Sequence, residues 1–450
     1  MQQNSDVSKL VDKSIPRTII GMAIPMLAGT FAMTMYQLTN AWFVSRLGTE
    51  ALAAISFTFP VVMFLMLLVR GLGSGALPLV AHAIGEGDRK KAAVLATHAL
   101  ILGIPFAAVV SVLGILTITP LFSRLGASGE VLSLISRYMK IWYLGTVIVV
   151  LQMVMADIII STGNTKAVSF LLVSSTVLNA FLDMTLIFGM FGMPKMGIAG
   201  AALATILSQA ATLVVAFYIL IKRLKLIGTD VLTTSALFNS WGKILRFGIP
   251  GSLGMIMNPI SAAVITKLAA GYGTAAVAAM GVATRIEMFA LMIPMTVGIP
   301  LVPFMAQNYG ARRMDRIRTA RKGTMIFAVL YGIFIGLMLI IFAKPMARIF
   351  STETAVIDVL CSYIYITSMG FGMAEVHRYA GFTMIGTHKP LRASALNVLR
   401  VVVLLIPLTI AGSHLFKLHG IFWGRFAADI LAGLFGIWWS GKILSPKLKH

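Results

Sequence analysis

Residues 25–46, PMLAGTFAMTMYQLTNAWFVSR, decide how the chain is read. The stretch is apolar enough to cross a bilayer, yet it carries Tyr36 and Asn40, four apart and so on one helix face. Met33 lies three before Tyr36 on the same face. A second apolar stretch repeats the spacing, for NAFLD at 179–183 sets Asn179 and Asp183 four apart. Polar and ionisable groups at membrane depth are costly, and face a bundle interior or a watery cavity. The two polar faces are expected to meet in one cavity and form the working site of a carrier.

Composition supports a membrane protein. Of 450 residues, 58% are hydrophobic and 12% charged, and the mean hydropathy is +0.92. A bilayer core takes about 20 apolar residues per helix. Twelve such segments are predicted: 18–45, 51–80, 93–120, 132–161, 167–190, 197–221, 242–270, 276–306, 322–348, 355–385, 392–412 and 420–443. Residues 1–17 are polar and the first apolar run is longer than a signal h-region, so no cleavable signal peptide is expected. The single Cys361 excludes an intramolecular disulfide and a cysteine-based metal site.

The formal charge of +22 follows topology rather than nucleic-acid binding. Counted by side, 23 Lys and Arg fall at the termini, in alternate loops and at the span ends beside them, including Arg89–Lys91, the 222–246 stretch and Arg312–Lys322. Seven fall on the opposite side. Positive charge stays in the cytoplasm, so both termini are predicted to be cytoplasmic. The chain also repeats at a shift of 225. Pro25 meets Pro250, Gly48 meets Gly273, Gly85 meets Gly310, Pro120 meets Pro345 and Tyr138 meets Tyr363. Asn179 meets Asn397 at a shift of 218. The matches are mainly Gly and Pro, which set kinks and close approaches, so two backbones of one shape are expected. Six spans per half keep the halves in the same orientation.

These residues resemble the multidrug and toxic compound extrusion (MATE) transporters over essentially the whole chain. The resemblance rests on Pro25, FVSRLGTEALAA at 43–54, Gly85-Glu86-Gly87-Asp88, the Asn179/Asp183 pair, GIAGAALAT at 197–205 and QNYGA at 307–311. It implies an all-α integral membrane fold, with twelve transmembrane helices in two pseudo-symmetric six-helix bundles around a central cavity. The expected organisation is an N-terminal bundle over 1–221, a cytoplasmic linker over 222–241 and a C-terminal bundle over 242–450. It implies a secondary antiporter, not an enzyme, in the bacterial inner membrane. Such a protein expels lipophilic, often cationic compounds in exchange for protons. Membrane lipids, no nucleic acid and no cofactor beyond the coupling ion are expected, and the chain is read as a monomer. Within the family the chain looks most like the DinF-like branch, which places its essential acids in the N-terminal half, and with no Asp or Glu in residues 249–270 a second-half ion site looks incomplete. The alternatives are sodium coupling and a lipid or oligosaccharide-lipid flippase of a related family. An intramembrane enzyme has no HExxH or GxSxG motif to support it.

The resemblance assigns proton coupling to Asp183 and to position 40. The family pattern has Asp there and this chain has Asn40, which cannot titrate. Either Asn40 is natural and Asp183 carries the coupling, or an aspartate has been replaced in an otherwise intact pattern. Coupling is expected to be impaired in either case. Substrate binding is assigned to Tyr36, Asn40, Asn179, Asp183, Met33 and Thr205. Pro25 is the expected hinge of the first span, and Glu375 a secondary ion site or, more simply, the partner of a nearby arginine. Two further ion pairs are expected between sequence neighbours, Glu287 with Arg285 and Arg425 with Asp429.

Overall fold

The computed structural model describes residues 9–228 and 233–445. Asp6, Asp230, Lys447 and Lys449, counted above by charge, lie outside them. Among the described residues every regular element is helical.

Among the described residues nine helices are long and apolar enough to cross a membrane, and two bent pairs add two more spans. The bent pairs are Gly129–Leu144 with Thr146–Ser161, at 50°, and Thr274–Ala290 with Met292–Gly310, at 52°. Composition foresaw each as one straight span. At the first bend the Tyr143 carbonyl is satisfied by the Ser111 hydroxyl, which donates at 2.7 Å. The longest helical run, Pro390–Leu444, is also not one rod. Phe416 (φ −129°) and Lys417 (φ 54°) leave helical geometry and fold it into an antiparallel hairpin. Gly412 and Gly420 meet backbone to backbone across this hairpin, and a side chain at either would strike the other's carbonyl. The break raises eleven spans to the expected twelve, six in each half. The helices overrun their predicted ends, as at Thr49–Gly85 and Arg89–Arg124, because polar residues extend them past the apolar core.

The outer faces are made for lipid. Leu116, Val214 and Ile341 are each about two-thirds exposed or more. Soluble surfaces seldom present contiguous apolar patches of this kind. Span ten, Thr354–Gly386, is the most enclosed. Its most apolar window is 67% buried, against 17% for Thr49–Gly85.

The chain packs into two compact units. One is Ile24–Ile249, and the other takes Pro250 onward together with the residues before Ile24. The chain therefore passes between units inside two helices, Ile15–Ser45 and Thr234–Ala270, at the residues beside Pro25 and Pro250. Within the first unit, Trp241 Nε1 donates to the His98 carbonyl at 3.0 Å, and Gly248 packs directly on the Gly71 backbone. Within the second, Arg316 donates to the carbonyls of Leu10 (3.2 Å) and Lys13 (2.6 Å), and Ile19 joins the core of Leu301, Phe304 and Tyr379.

The sequence repeat is a repeat of hydrogen bonds. Ser169 Oγ donates to the Pro25 carbonyl, and Ser394 Oγ to the Pro250 carbonyl, each pair 144 residues apart. The turn after the second span returns after the eighth. Asp88 N–H donates to the Ala83 carbonyl at 3.1 Å, and Arg313 N–H to the Asn308 carbonyl at 2.8 Å. The left-handed position is Gly87 (φ 80°) in the first turn and Arg312 (φ 57°) in its copy. Backbone conformation is kept at a cost of about 1–2 kcal/mol where glycine has been lost.

Candidate functional site

The first unit brings most of the predicted site residues together. Asn179 and Asp183 lie on Thr165–Phe188, Thr205 on Ile198–Tyr218, and Tyr36 and Asn40 on Ile15–Ser45. Asp183 is fully buried, Asn179 is 2% exposed and Thr205 5%. The Tyr36 hydroxyl lies 2.9 Å from Thr205 Oγ1. Thr205 already donates its one proton to the Ala201 carbonyl at 3.1 Å, so Tyr36 is the donor and Thr205 the acceptor.

The Asn179 amide fixes the rest of the cluster. With its nitrogen towards Asp183, it donates to Asp183 Oδ2 at 2.9 Å, and its oxygen accepts from the Thr205 N–H at 3.2 Å. Asp183 Oδ1 is buried without a hydrogen-bond partner among the described residues. A buried carboxylate held at one oxygen only is costly, and a proton or a bound cation relieves that cost. Asn40 lies close to the Tyr36 hydroxyl.

Two sequence expectations sit apart from the cluster. Met33 is 42% exposed, and Pro25 is just over four turns before Asn40 on the same helix. Sequence reasoning overlooked Tyr138, a buried hydroxyl-bearing residue on Gly129–Leu144 in the same unit. The signal was present, because Tyr138 and Tyr363 match in a repeat made mainly of Gly and Pro.

The second unit holds a network of charges. Arg425 Nη2 donates to Glu287 Oε2 at 2.9 Å, and Tyr363 bridges the pair by donating to Glu287 and accepting from Arg425. Asp429, 1% exposed, is held by Arg400, whose Nη2 lies 2.6 Å and Nε 2.8 Å from Oδ1. The neighbour pairings expected from sequence are thus corrected. Glu287 pairs with Arg425 rather than Arg285, and Asp429 pairs chiefly with Arg400, its contact with Arg425 being 3.9 Å. Packing between spans sets both, because a helix at membrane depth turns its charges towards neighbouring helices. Glu375, 1% exposed, lies 3.1 Å from Arg378 Nη1, the arginine partner its sequence setting suggests.

Known proteins agree with this architecture. The MatE family profile matches residues 25–185 and again 250–411, starting 225 residues apart, as the internal repeat does. An FAD transporter of Shewanella oneidensis is 32% identical over 437 residues, covering 97% of each chain. A probable multidrug resistance protein, YoeA of Bacillus subtilis, is 28% identical over 447 residues, covering 95% of each. Among solved structures, the Vibrio cholerae MATE transporter VcmN in its bent form superposes with a TM-score of 0.90 at 26% identity, over 98% of both chains. With membrane-spanning helices throughout the described residues and the profile matching each of the two repeated halves, the chain belongs to the MatE family of membrane transporters.

Proposed function

We propose that this chain exports organic compounds from the bacterial cytoplasm across the inner membrane, and that Asp183 exchanges the coupling proton. The observation that carries the reading is the half-satisfied Asp183 carboxylate inside an apolar bundle. A proton and a lipophilic cation are alternative ways to neutralise it, and they compete. Protonation removes the counter-charge and releases the cation; deprotonation restores it. Each ligand must favour a different state or exclude the other for transport to be coupled. Asn179 keeps Asp183 oriented through both steps. Tyr36 and Thr205 supply a hydrogen bond between two hydroxyls beside it. Asn40 contributes no charge, so a single carboxylate serves where the family pattern has two.

The test is efflux of a fluorescent lipophilic cation from proteoliposomes under an imposed pH gradient, with and without sodium. Asp183→Asn is expected to abolish the dependence on the gradient. Proton-driven efflux that survives Asp183→Asn unchanged refutes the reading, and a requirement for sodium replaces the proton in it.

A second reading concerns the cargo. The full-length similarity to an FAD transporter, at 32% identity, favours a flavin dinucleotide as substrate. Both cargoes are planar aromatic compounds and differ in charge. Uptake of FAD into everted vesicles, compared with that of a cationic dye, separates them.

A further inference from the structure

Beyond the polar cluster, the first unit has another concavity. Trp42, Phe43 and Arg46 from the end of the first span, with Met184, Phe188 and Met190 from the end of the fifth, line a cavity of about 500 Å³. That volume lies within the range of small-molecule sites. Its walls are aromatic and thioether. Phe43 and Phe188 meet at 5.9 Å between ring centroids, and Trp42 and Phe43 at 5.1 Å, both edge to face. Trp42 is 54% exposed, so much of its ring is free. The flexible Met184 and Met190 can adapt to a ring system of varied shape.

The one charge in this lining is Arg46. Its guanidinium carbon sits 4.9 Å from the Trp42 ring centroid. No carboxylate forms an ion pair with it among the described residues. An uncompensated guanidinium over an indole repels a lipophilic cation and attracts an anion attached to a flat ring. The cavity therefore prefers the opposite charge to Asp183, although Met184 lines it and Asp183 is the next residue.

We infer that the cavity formed by Trp42, Phe188 and Arg46 binds a planar aromatic anion, the ring packing on Trp42 and Phe188 and the carboxylate or phosphate pairing with Arg46. This names the recognition of the second cargo reading and rests on it. A guanidinium forms paired, charge-assisted hydrogen bonds to a phosphate, so the anion contributes more than the ring alone can.

Flavin mononucleotide and riboflavin provide the probe, since they share one ring and differ by a phosphate. Binding to the purified, detergent-solubilised protein is read by flavin fluorescence anisotropy. The mononucleotide is expected to bind roughly tenfold more tightly at low salt, with the gap narrowing as salt rises. Arg46→Gln should close the gap, Arg46→Lys should keep part of it, and Trp42→Leu should weaken both ligands. Equal affinities in the unaltered protein, or a gap that survives Arg46→Gln, overturns the inference. The salt titration needs no variant, so a gap that does not narrow with salt overturns the inference even if a variant fails to fold. Flavin export by a protein without the gap overturns this site and spares the cargo reading. A clear gap without flavin export overturns the cargo reading and leaves the site standing.

Discussion

Replacing Arg400 with Leu tests how the second unit carries its buried charges. Asp429 is 1% exposed, and both close contacts to it come from Arg400, at 2.6 and 2.8 Å. Without Arg400, the nearest cation is Arg425 at 3.9 Å, and Arg425 is already committed to Glu287 and Tyr363. Breaking a buried pair from one side leaves an uncompensated charge and costs about 3–5 kcal/mol. For a unit of roughly 200 residues, each kcal/mol shifts the midpoint by about 2–4 °C, so the melting temperature should fall by at least about 6 °C. The measurement is thermal unfolding of purified protein in detergent, followed by tryptophan fluorescence. The informative control is the double variant Arg400→Leu with Asp429→Leu. Removing both charges removes the orphan, and most of the loss should return. A single variant within a degree or two of the parent, or a double variant no better than the single, refutes the claim that this pair is tightly desolvated.

Asn40→Asp places a second carboxylate close to the Tyr36 hydroxyl, and cationic-dye binding should then fall with acid more steeply than in the parent; identical pH profiles remove position 40 from coupling. Thr205→Val takes away the acceptor for Tyr36 and should cost about 1 kcal/mol, read as a several-fold loss of dye affinity with little change in melting. His388→Gly and Arg312→Gly each relieve a left-handed residue and should raise the unfolding free energy by about 1 kcal/mol, visible as a higher melting temperature. The Lys91 ammonium, 2.7 Å from Glu86, holds that exposed carboxyl below its usual range. The stabilisation it gives is present above the ordinary carboxylate pKa and is lost as pH falls through the lowered value. At a surface site it amounts to a fraction of a kcal/mol, and Lys91→Met should flatten that part of the stability–pH profile.

What could be read from sequence depended on how far apart the interacting residues lie. Asn179 and Asp183 stood out because polar groups one turn apart on an apolar helix need a shared interior, and they have one. The spans stood out because lipid allows few solutions for a long apolar run. The bends at Gly145 and Leu291 were hidden, since hydropathy is blind to direction. The Glu287–Arg425 and Arg400–Asp429 pairs were hidden because they depend on which helix faces which; of the sequence neighbours, Arg285 is not the partner of Glu287, and Arg425 reaches Asp429 only at 3.9 Å. Arg46 was read only as a loop charge. Its place over Trp42 needs the end of the first span and the end of the fifth together.

The crossings beside Pro25 and Pro250 have a bearing on ancestry and on assembly. A cut in the loop between Leu224 and Thr234 would not yield one unit per fragment. The N-terminal fragment would carry residues 9–23, which pack with the second unit. The C-terminal fragment would carry residues 234–249, which pack with the first. Each fragment lends an arm and receives one, as the subunits of a domain-swapped dimer do. A single-copy ancestor built on this plan would have been complete only as a pair of identical chains exchanging their first helical turns, and fusing the two genes would have made the partnership permanent.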